Sequence, residues 1–559
     1  MDNIIDILTT KITKYLANIN ISDVVLNIKE KNKVYTINGI YQIEKLHNIT
    51  FDKFAKEICS KLSDEEYNFV VSGKNINIHI REQHACSLID KYNELSQILK
   101  SPEKKLRMIF DYPSPNIAKN MHVGHLRSSI IGDSLANLYS ELGHQVSRIN
   151  HIGDIGLHFG LIITYIMENN IDDYTNINEI YCNSKKIFDQ NDEFKKKSYE
   201  TLIKLQRNQD DEILKIWKRL CEGSLEEQNK IYGMLSIKNL TNIGESYYYK
   251  YFDDLIKELK EKSLLVCEDN RHVIKFLKMP PLTIIKSDGG YTYDTTDLAA
   301  LRYRLVDCDA DHIYYVVDSG QELHFKQIFE VAKLMNWLTS DKQVIHINFG
   351  IVKGKDNKKL RTRNGDNESL MDLLQDSVIE TKKVFELANN KISQDDIHKV
   401  SYGSLKFADL INNRQSDYVF SFEKLLDFKG KTLTYVMYSF VRLNSIFEKI
   451  LKYTTIDNYK TNSTELIQTD YDIINHVLKF PIVINYACQQ NMIHFICIYL
   501  FEMAELISTN YKKLKCIELD TLKENIANIN RSRINVFLFV FKIYKLCFKI
   551  LGINEIYRM

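Results

Sequence analysis

The sequence of 559 residues predicts an α/β protein with three domains. Short apolar strands alternate with helical stretches from about residue 106 to 415, which is typical of a parallel sheet with helices on its faces. The part before it reads as a small α+β unit, and nearly everything after it reads as helix. Only 6 prolines and 20 glycines occur, which favours helices over an all-β architecture with many turns. The predicted domains are residues 1–103, 104–415 and 416–559.

The first domain is predicted from one amphipathic helix and several short strands. Ile4, Leu8 and Ile12 recur at helical spacing. Alternating stretches at residues 34–37 and 75–80 are typical of strands with one buried face. A polar stretch that contains a proline, at residues 100–105, is the predicted linker to the next domain.

The second domain is predicted to begin with a parallel βαβ unit. An apolar strand at residues 108–112 runs into a turn at 113–116, a glycine-containing helix covers 124–142, and a second strand follows at 146–150. A charged helical stretch from about residue 170 to 265 reads as an insertion. Later strands are predicted to resume the parallel sheet at residues 282–285, 312–317 and 344–347.

Composition excludes several classes of protein. With 44% hydrophobic residues and a net charge of +1, the chain is not a disordered charged tail, and any nucleic-acid site must be a local basic patch. The 10 cysteines include no Cys-x-x-Cys pair, which favours reduced cytosolic thiols over disulfides or zinc. No signal peptide is predicted, and lysines interrupt the apolar stretch at residues 534–551, so no membrane span is expected. The predicted location is cytoplasmic.

The segment with the strongest chemical signal follows the first strand of the βαβ unit. Residues 114–128 open a helix there, and the N–H groups and dipole at a helix N-terminus favour an anion. His122 and His125 lie three residues apart around Gly124, which allows a ligand to approach the backbone closely. Lys119 lies just upstream and supplies a positive charge. We therefore interpret this segment as a phosphate-binding site.

Two other interpretations of the histidine pair remain open at this point. His122 and His125 are compatible with helix capping. Together with His151 and His158 they are also compatible with a metal site, because imidazole is a common ligand. No well-spaced carboxylate or thiolate completes a ligand set near them, so the phosphate interpretation is preferred.

The segment resembles a known enzyme family. HVGH at residues 122–125 is similar to the HIGH signature of class I aminoacyl-tRNA synthetases, and SPNIAKNMHVGHLRSSIIGD at 114–133 resembles arginyl-tRNA synthetases specifically. The resemblance continues at residues 151–154, 288–298 and 321–324, and it is closest to eukaryotic cytosolic members. It implies a ligase that joins L-arginine to tRNA(Arg) with ATP. It also implies a Rossmann-like catalytic domain with a helical insertion, an α+β domain that contacts tRNA, and an all-α anticodon-binding domain.

The resemblance also assigns catalytic and ATP-binding residues. It places His122, His125 and Lys119 in catalysis. The implied ATP-binding residues are His122, Gly124, His125, His324, Lys359, Arg361 and Arg363. The last three belong to a basic loop at residues 353–366, which stands where the class has its KMSKS signature and has Thr362 in place of the second lysine. Alone, this loop also fits a solvated charged turn. ATP is expected as its Mg²⁺ complex, with no tightly bound protein metal.

The arginine-binding residues implied by the resemblance are Asp111, Asn116, Tyr293, Asp297 and Gln321. A guanidinium group is planar, permanently charged and carries five donors, so a selective pocket needs carboxylates and oriented acceptors. These side chains have that chemistry, although Asp and Thr residues in the segment 294–297 also fit helix caps. Because lysine cannot reproduce the guanidinium fork, no editing domain is expected.

One string departs from the family pattern. Arginyl-tRNA synthetases usually have GDWGxQFG, whereas residues 153–160 read GDIGLHFG, with Ile155 and His158 in place of tryptophan and glutamine. The change removes an aromatic surface and adds a titratable ring near the predicted active-site helix. The local packing and the contacts with the acceptor end of the RNA are therefore the features expected to differ from the family pattern.

The last domain is the predicted RNA-binding surface. Residues 431–559 hold 16 Lys or Arg and 11 Asp or Glu, a net charge of +5, with aromatic residues interleaved. An ordinary helical bundle also fits, but YVMYSFVRLNSI at 435–446 resembles the start of the family's anticodon-binding domain. Two rival functions are a tRNA-binding relative that does not aminoacylate and a small nucleotidyltransferase. Monomer and homodimer are both open.

Overall fold

The computed structural model of the protein describes residues 3–19, 21, 24, 26–31, 34–94, 98–99, 101–117, 119–174, 176–354, 369–388, 392–452, 455–456, 459–520 and 525–559. Within these residues the chain is mainly helical and forms five sheets.

The first part of the chain forms an antiparallel sheet covered by helices. Its strands are β1 (Asn27–Lys31), β2 (Val34–Asn38), β3 (Tyr67–Ser72) and β4 (Asn75–Ile80), in the order β1-β2-β4-β3. Its helices are α1 (Ile4–Asn18), α2 (Tyr41–His47), α3 (Phe51–Leu62) and α4 (Glu82–Glu94). Helix α1 begins where the side chain of Asn3 accepts a hydrogen bond from the N–H of Ile5 at 3.0 Å. It buries Leu8 and Ile12, as their spacing predicts.

The central part of the chain alternates strands and helices. Its strands are β5 (Arg107–Asp111), β6 (Gln145–Ile152), β7 (Leu240–Gly244), β8 (Leu265–Glu268), β9 (Arg271–Ile274), β10 (Leu282–Ile285), β11 (His312–Tyr315) and β12 (Gln343–His346). Its helices are α5 (Val123–Glu141), α6 (Leu157–Asn169), α7 (Ile177–Gln190), α8 (Asp192–Gln206), α9 (Asp211–Met234), α10 (Phe252–Glu261), α11 (Tyr293–Arg302) and α12 (Glu322–Leu334).

A parallel five-stranded sheet forms the core of this region, in the order β12-β11-β5-β6-β7. From β5 the chain moves through β6 to β7 on one side, and later returns to β11 and β12 on the other. Ligands of such sheets bind at the carboxyl ends of the strands, where the strand order reverses. That point lies just beyond Asp111 in β5 and Tyr315 in β11.

Two expectations about the strands of this central region are wrong. Residues 170–265 are predicted as helix, but β7 lies within them and pairs with β6 as an edge strand of the parallel sheet. Its sequence, LTNIG, lacks the apolar run that marks the other strands. Residues 282–285 are predicted to join the parallel sheet, but β10 pairs antiparallel with β9 in a separate sheet of three strands. Periodicity identifies a strand without identifying its partner.

The remainder of the chain is mostly helical. Its helices are α13 (Leu370–Leu387), α14 (Gln394–Leu410), α15 (Phe422–Leu425), α16 (Leu433–Leu451), α17 (Gln468–Leu478), α18 (Phe480–Gln490), α19 (His494–Asn510) and α20 (Arg531–Leu551). Its strands are β13 (Val352–Lys353), β14 (Tyr418–Val419), β15 (Ile517–Asp520) and β16 (Asn525–Ile529). The prediction of helix throughout this region is wrong at β15 and β16, which pair antiparallel. The sequence of β15 alternates apolar and polar residues, as a strand with one buried face does.

Helix α5 is buried on nearly all of its faces. It packs on β5 and β6 on one side, while α13, α14 and α20 cover the others. A buried ion pair between Nε of Arg127 and Oδ2 of Asp409, 2.9 Å apart, joins α5 to α14. These contacts fix the N-terminus of α5 at the sheet crevice.

No helix in the part of the chain that the structure describes has the length and apolar character needed to cross a lipid bilayer.

Candidate active site

Helix α5 begins at the crevice with the two histidines of the HVGH segment. Nδ1 of His122 accepts a hydrogen bond from the N–H of Gly124 at 3.0 Å, and Nδ1 of His125 accepts one from the N–H of His122 at 3.0 Å. The two rings stack with their centroids 3.9 Å apart. Because Nδ1 is an acceptor in both rings, each neutral imidazole carries its proton on Nε2. The histidines therefore cap the helix and also supply N–H donors at its positive end, which suits a phosphate.

Gly124 and Lys119 complete the surroundings of the histidines. A Cβ atom on residue 124 would lie 2.8 Å from Cε1 of His122, so only glycine leaves that ring in place. Lys119 is exposed, and its Nζ lies 5.5 Å from the ring centroid of Tyr181 in α7. The lysine therefore stands between the helix cap and the helical insertion.

The chain that follows the predicted basic loop returns to the helix cap. Ser369 pairs with His122 in an isolated β-bridge, and the N–H of Leu370 donates to the carbonyl of Met121 at 2.8 Å. The loop residues predicted to bind ATP lie outside the described residues, namely Lys359, Arg361 and Arg363 within the segment 355–368. The described contacts thus bring Ser369, which directly follows that segment, to His122.

A second cluster, of carboxylates and imidazoles, lies at the carboxyl side of the sheet. Nε2 of His324 lies 2.7 Å from Oδ2 of Asp297, and its Nδ1 lies 3.1 Å from Oδ1 of Asp294. His151, at the end of β6, approaches Oδ1 of Asp297 at 3.5 Å. No group of three or more His, Cys, Asp or Glu among the described residues is arranged to hold a metal ion. The structure thus places His324, predicted for ATP, among residues predicted for arginine.

The ionisation of this cluster favours a cationic ligand. Burial lowers the pKa of His324, but hydrogen bonds to Asp294 and Asp297 outweigh burial and raise that pKa to about 9. Burial raises the pKa of Asp297, but the hydrogen bond from His324 and the charge of His151 outweigh it and hold that pKa below its ordinary value. The imidazolium of His324 and the ionised Asp297 therefore form a charged pair, and Asp294 adds a second carboxyl group that a guanidinium could contact.

The remaining polar residues predicted for arginine lie at the rim. Asn116 is exposed and pairs with Gly153 in a β-bridge. A Cβ atom added at Gly153 would lie 2.3 Å from Oδ1 of Asn116, so the side chain of Asn116 packs closely on that glycine. Tyr293, at the start of α11, is 63% exposed, and its ring centroid lies 5.1 Å from that of His324. Gln321 is exposed in the single turn that precedes α12. Tyr293 thus lies against the carboxylate cluster, and the other two remain open to solvent.

Comparisons with known proteins agree with this geometry. The sequence matches the family described as tRNA synthetases class I (R), catalytic domain, over residues 85–422, and the DALR anticodon binding domain over residues 436–559. The cytoplasmic arginine–tRNA ligase of Bos taurus is 37% identical over 530 residues, which cover 91% of this chain and 80% of that protein. The chain belongs to the arginyl-tRNA synthetase family. The family, fold class and enzyme class predicted from the sequence are thereby confirmed.

Solved structures of arginyl-tRNA synthetases have the same overall fold. That of Plasmodium falciparum superposes with a TM-score of 0.84 at 28% identity and covers all of both chains. That of Thermus thermophilus superposes with a TM-score of 0.79 at 16% identity, covering 99% of this chain and 100% of that one, which supports the fold alone.

Asp111 is placed differently from the other residues that the arginyl-tRNA synthetase pattern assigns to arginine. It is buried at the end of β5, with Oδ2 only 2.6 Å from Nη1 of Arg304. Its Oδ1 accepts a hydrogen bond from the hydroxyl of Ser114 at 2.6 Å. Groups of the chain itself therefore engage both oxygens. Arg304 belongs to no sequence motif, and only the fold shows that it reaches the crevice.

Glu245 is a further carboxyl group that the sequence reasoning missed. It follows β7 at the carboxyl edge of the sheet. Burial, then the charges of Asp297 and Asp154, raise its pKa to about 8. A glutamate directly after a strand would have identified it from the sequence. The strand β7 was predicted as part of the helical insertion, so this position was not recognised.

The departure from the family string changes one ring in a buried turn. Ile155 is buried, and burial together with the charge of Lys119 lowers the pKa of His158 to about 4. His158 is therefore neutral at physiological pH. Trp217 of α9 donates from Nε1 to the carbonyl of Asp154 at 2.7 Å, so an indole contacts this turn although residue 155 is not aromatic.

Proposed function

We propose that this arginyl-tRNA synthetase activates L-arginine with ATP and transfers the arginyl group to the 3′ end of tRNA(Arg). The carboxylate of arginine attacks the α-phosphate, which gives arginyl-adenylate and releases pyrophosphate. A terminal ribose hydroxyl of the tRNA then takes the arginyl group and AMP leaves. The observation that carries the proposal is the geometry at the carboxyl edge of one sheet, where the N–H donors of His122 and His125 open α5 and the carboxylate cluster at Asp297 lies nearby.

The histidine pair would bind and stabilise the reacting phosphate. ATP enters as its Mg²⁺ complex, and negative charge develops on the α-phosphate during the attack. Nε2 of His122 and Nε2 of His125 would donate to this charge at the positive end of α5. Lys119 and the basic loop with Lys359, Arg361 and Arg363 would hold the β- and γ-phosphates. Catalysis would rest on positioning and electrostatics, as in other phosphoryl chemistry.

The arginine pocket would use the carboxylate cluster for charge and the rim for orientation. Asp297 provides the central carboxylate, and His324 holds it in place. Glu245 adds a second carboxyl group, which a bound guanidinium would ionise. Asn116, Tyr293 and Gln321 would contact the substrate from the rim, and Asp111 would serve the pocket through Ser114. Lysine has a single ammonium group in place of the guanidinium fork. Bound lysine would leave buried acceptors of the pocket unpaired, so the site is expected to reject it.

The tRNA would contact the chain at both ends. The mostly helical region after residue 416 would read the anticodon, and the α+β region before residue 103 would touch the body of the tRNA. The anticodon-binding match and the net positive charge of residues 431–559 support the first contact. We place the reaction in the cytoplasm, where the cattle relative is named to act.

Substitution of His122 by asparagine tests the proposed chemistry. Asparagine is a good N-cap, so His122→Asn keeps the helix start but removes the Nε2 donor. Loss of one such donor is expected to lower kcat for aminoacylation by about 10²- to 10³-fold. The affinity for tRNA should stay within about twofold, because the RNA contacts lie elsewhere. Unchanged kcat would refute the role of His122, and a wild type that binds tRNA without charging it would favour the rival binding protein.

A further inference from the structure

Arg304 is a fully buried guanidinium with no role in the proposed reaction so far. It lies in a π-helical turn, Tyr303–Asp307, that widens the end of α11, and its side chain is 0% exposed. Such turns occur frequently at functional sites. Its charge faces Asp111 at 2.6 Å, and its guanidinium carbon lies 5.2 Å from the ring centroid of Tyr315 in β11. A buried charge of this kind is tolerated only because its partner is close.

The partner, Asp111, connects Arg304 to the turn after β5. Oδ1 of Asp111 accepts the hydroxyl of Ser114 at 2.6 Å, and the N–H of Ser114 donates to Oδ1 of Asn150 at 3.1 Å. Ser114 has a φ of 55°, a left-handed conformation that a residue other than glycine adopts only when its surroundings hold it there. Asn150 is itself fixed by Asn242 in β7, at 2.9 Å. Three side chains thus determine the conformation at Ser114.

We propose that Arg304 is a positioning residue for arginine recognition: with Asp111 it fixes the turn at Ser114, and so sets where Asn116 meets the substrate. The proposal rests on the proposed function. Arg304 is too deeply buried to touch the substrate, and each oxygen of Asp111 already has a partner within the chain. Asn116 lies two residues beyond Ser114, and on its other side it forms a β-bridge to Gly153. Its placement therefore depends on the turn.

Arg304→Lys provides the first test, because lysine keeps the buried charge but lacks the guanidinium whose Nη1 lies 2.6 Å from Oδ2 of Asp111. Displacement of a substrate-positioning group by about 1 Å can cost about 10²-fold. We expect the KM for arginine to rise about 10- to 100-fold while the KM for ATP stays within about twofold. The matched control is Arg533→Lys, which alters a buried pair with Asp470, 2.8 Å apart in the C-terminal region. That control should change thermal stability without separating the two KM values.

A double-mutant cycle provides the second test and does not depend on the folding of Arg304→Lys. If Asp111 acts through Ser114, then Ser114→Ala has its full effect in the wild type and almost none when Asp111→Asn is present. If Asp111 contacts arginine directly, the two effects multiply, and the proposal is overturned. The proposal is also overturned if Arg304→Lys raises the KM for arginine and the KM for ATP equally, or if it changes neither of them. A wild type that charges no arginine would refute the proposed function, and this proposal with it.

Discussion

Glu245 gives the pocket a carboxyl group that titrates in an accessible range. Burial, then the neighbouring charges of Asp297 and Asp154, raise its pKa to about 8, so it is mainly protonated when no substrate is bound at neutral pH. A guanidinium favours its ionised form, and arginine binding would therefore release a proton. We predict that the KM for arginine falls as the pH rises from about 6 and levels off above about 8. Initial rates across this range measure it.

The control for this prediction is Glu245→Gln, which cannot ionise. It should raise the KM for arginine and remove most of its dependence on pH, while the KM for ATP keeps the wild-type profile. An arginine KM with the same pH profile in both proteins would show that another group titrates.

Asp297 is the residue whose loss should affect arginine most directly. Hydrogen bonds to charged groups contribute about 1.5–3 kcal/mol, so Asp297→Asn is expected to raise the KM for arginine about 10- to 100-fold. Asp307→Asn is the matched control, because Asp307 is an exposed aspartate paired with Arg302 at 3.2 Å. Steady-state kinetics of both variants measure the KM for arginine. An equal rise in the two variants would contradict the placement of Asp297 in the arginine pocket.

At the scale of elements, the start of α5 sets the geometry of the histidine pair. In Gly124→Ala the new Cβ would lie 2.8 Å from the ring of His122, so the ring must move away from its cap position. We predict a fall in kcat/KM of about 10- to 100-fold, since a displacement near 1 Å has consequences of this size. Circular dichroism should show an unchanged helix content. Activity at the wild-type level would mean that the ring position is unimportant.

Gly223→Ala is the matched control for that substitution. Gly223 lies within α9, and a Cβ atom there would meet nothing within 4 Å. Alanine should stabilise the helix by about 0.5–1 kcal/mol without changing activity. Thermal unfolding and aminoacylation assays of the two variants then separate a local clash from a general effect of alanine in helices.

The sequence predicted those elements whose signals are local. The strand β5 and the helix α5 are contiguous in the chain, so the motif and the apolar pattern were sufficient, whereas a cap at His122 was only one of the alternatives left open. The pairing of β10 and the presence of β7 depend on partners distant in sequence, and both predictions failed. The same limit applies to the site. Asp297 and His324, 27 positions apart, were assigned only by family resemblance, while Glu245 and Arg304 required the fold.

At the scale of the whole molecule, one buried lysine joins three parts of the chain. Nζ of Lys406 in α14 donates to the carbonyl of Gly552 at 2.7 Å, after the last helix, and Asp133 in α5 is its opposite charge. Burial lowers the pKa of Lys406 to about 8, although Asp133 opposes this effect. Removing one partner of a buried pair costs about 3–5 kcal/mol. Lys406→Met should therefore lower the free energy of unfolding by about that amount.

Urea unfolding at neutral pH measures this effect. The double variant Lys406→Met with Asp133→Asn should recover only part of the loss, because it removes the charge of Asp133 but also takes that partner from Arg148, 3.9 Å away. A single variant as stable as the wild type would contradict the idea that this pair holds α14 and the C-terminal turn against α5.

The net charge of the whole chain hides large differences between its regions. A net charge of +1 suggests little attraction to nucleic acid, but residues 431–559 alone carry +5 and the arginine pocket carries carboxylates. The overall value is an average over parts with opposite tasks, so it does not argue against a tRNA substrate.

The central claim is that the crevice around His122 and Asp297 joins arginine to tRNA. The most direct test is to offer the purified protein ATP, a tRNA pool and each of the twenty amino acids in turn, and to measure the charged tRNA. We predict that arginine alone is incorporated and that the signal disappears when ATP is omitted. Selective incorporation of another amino acid, or none at all, would contradict it.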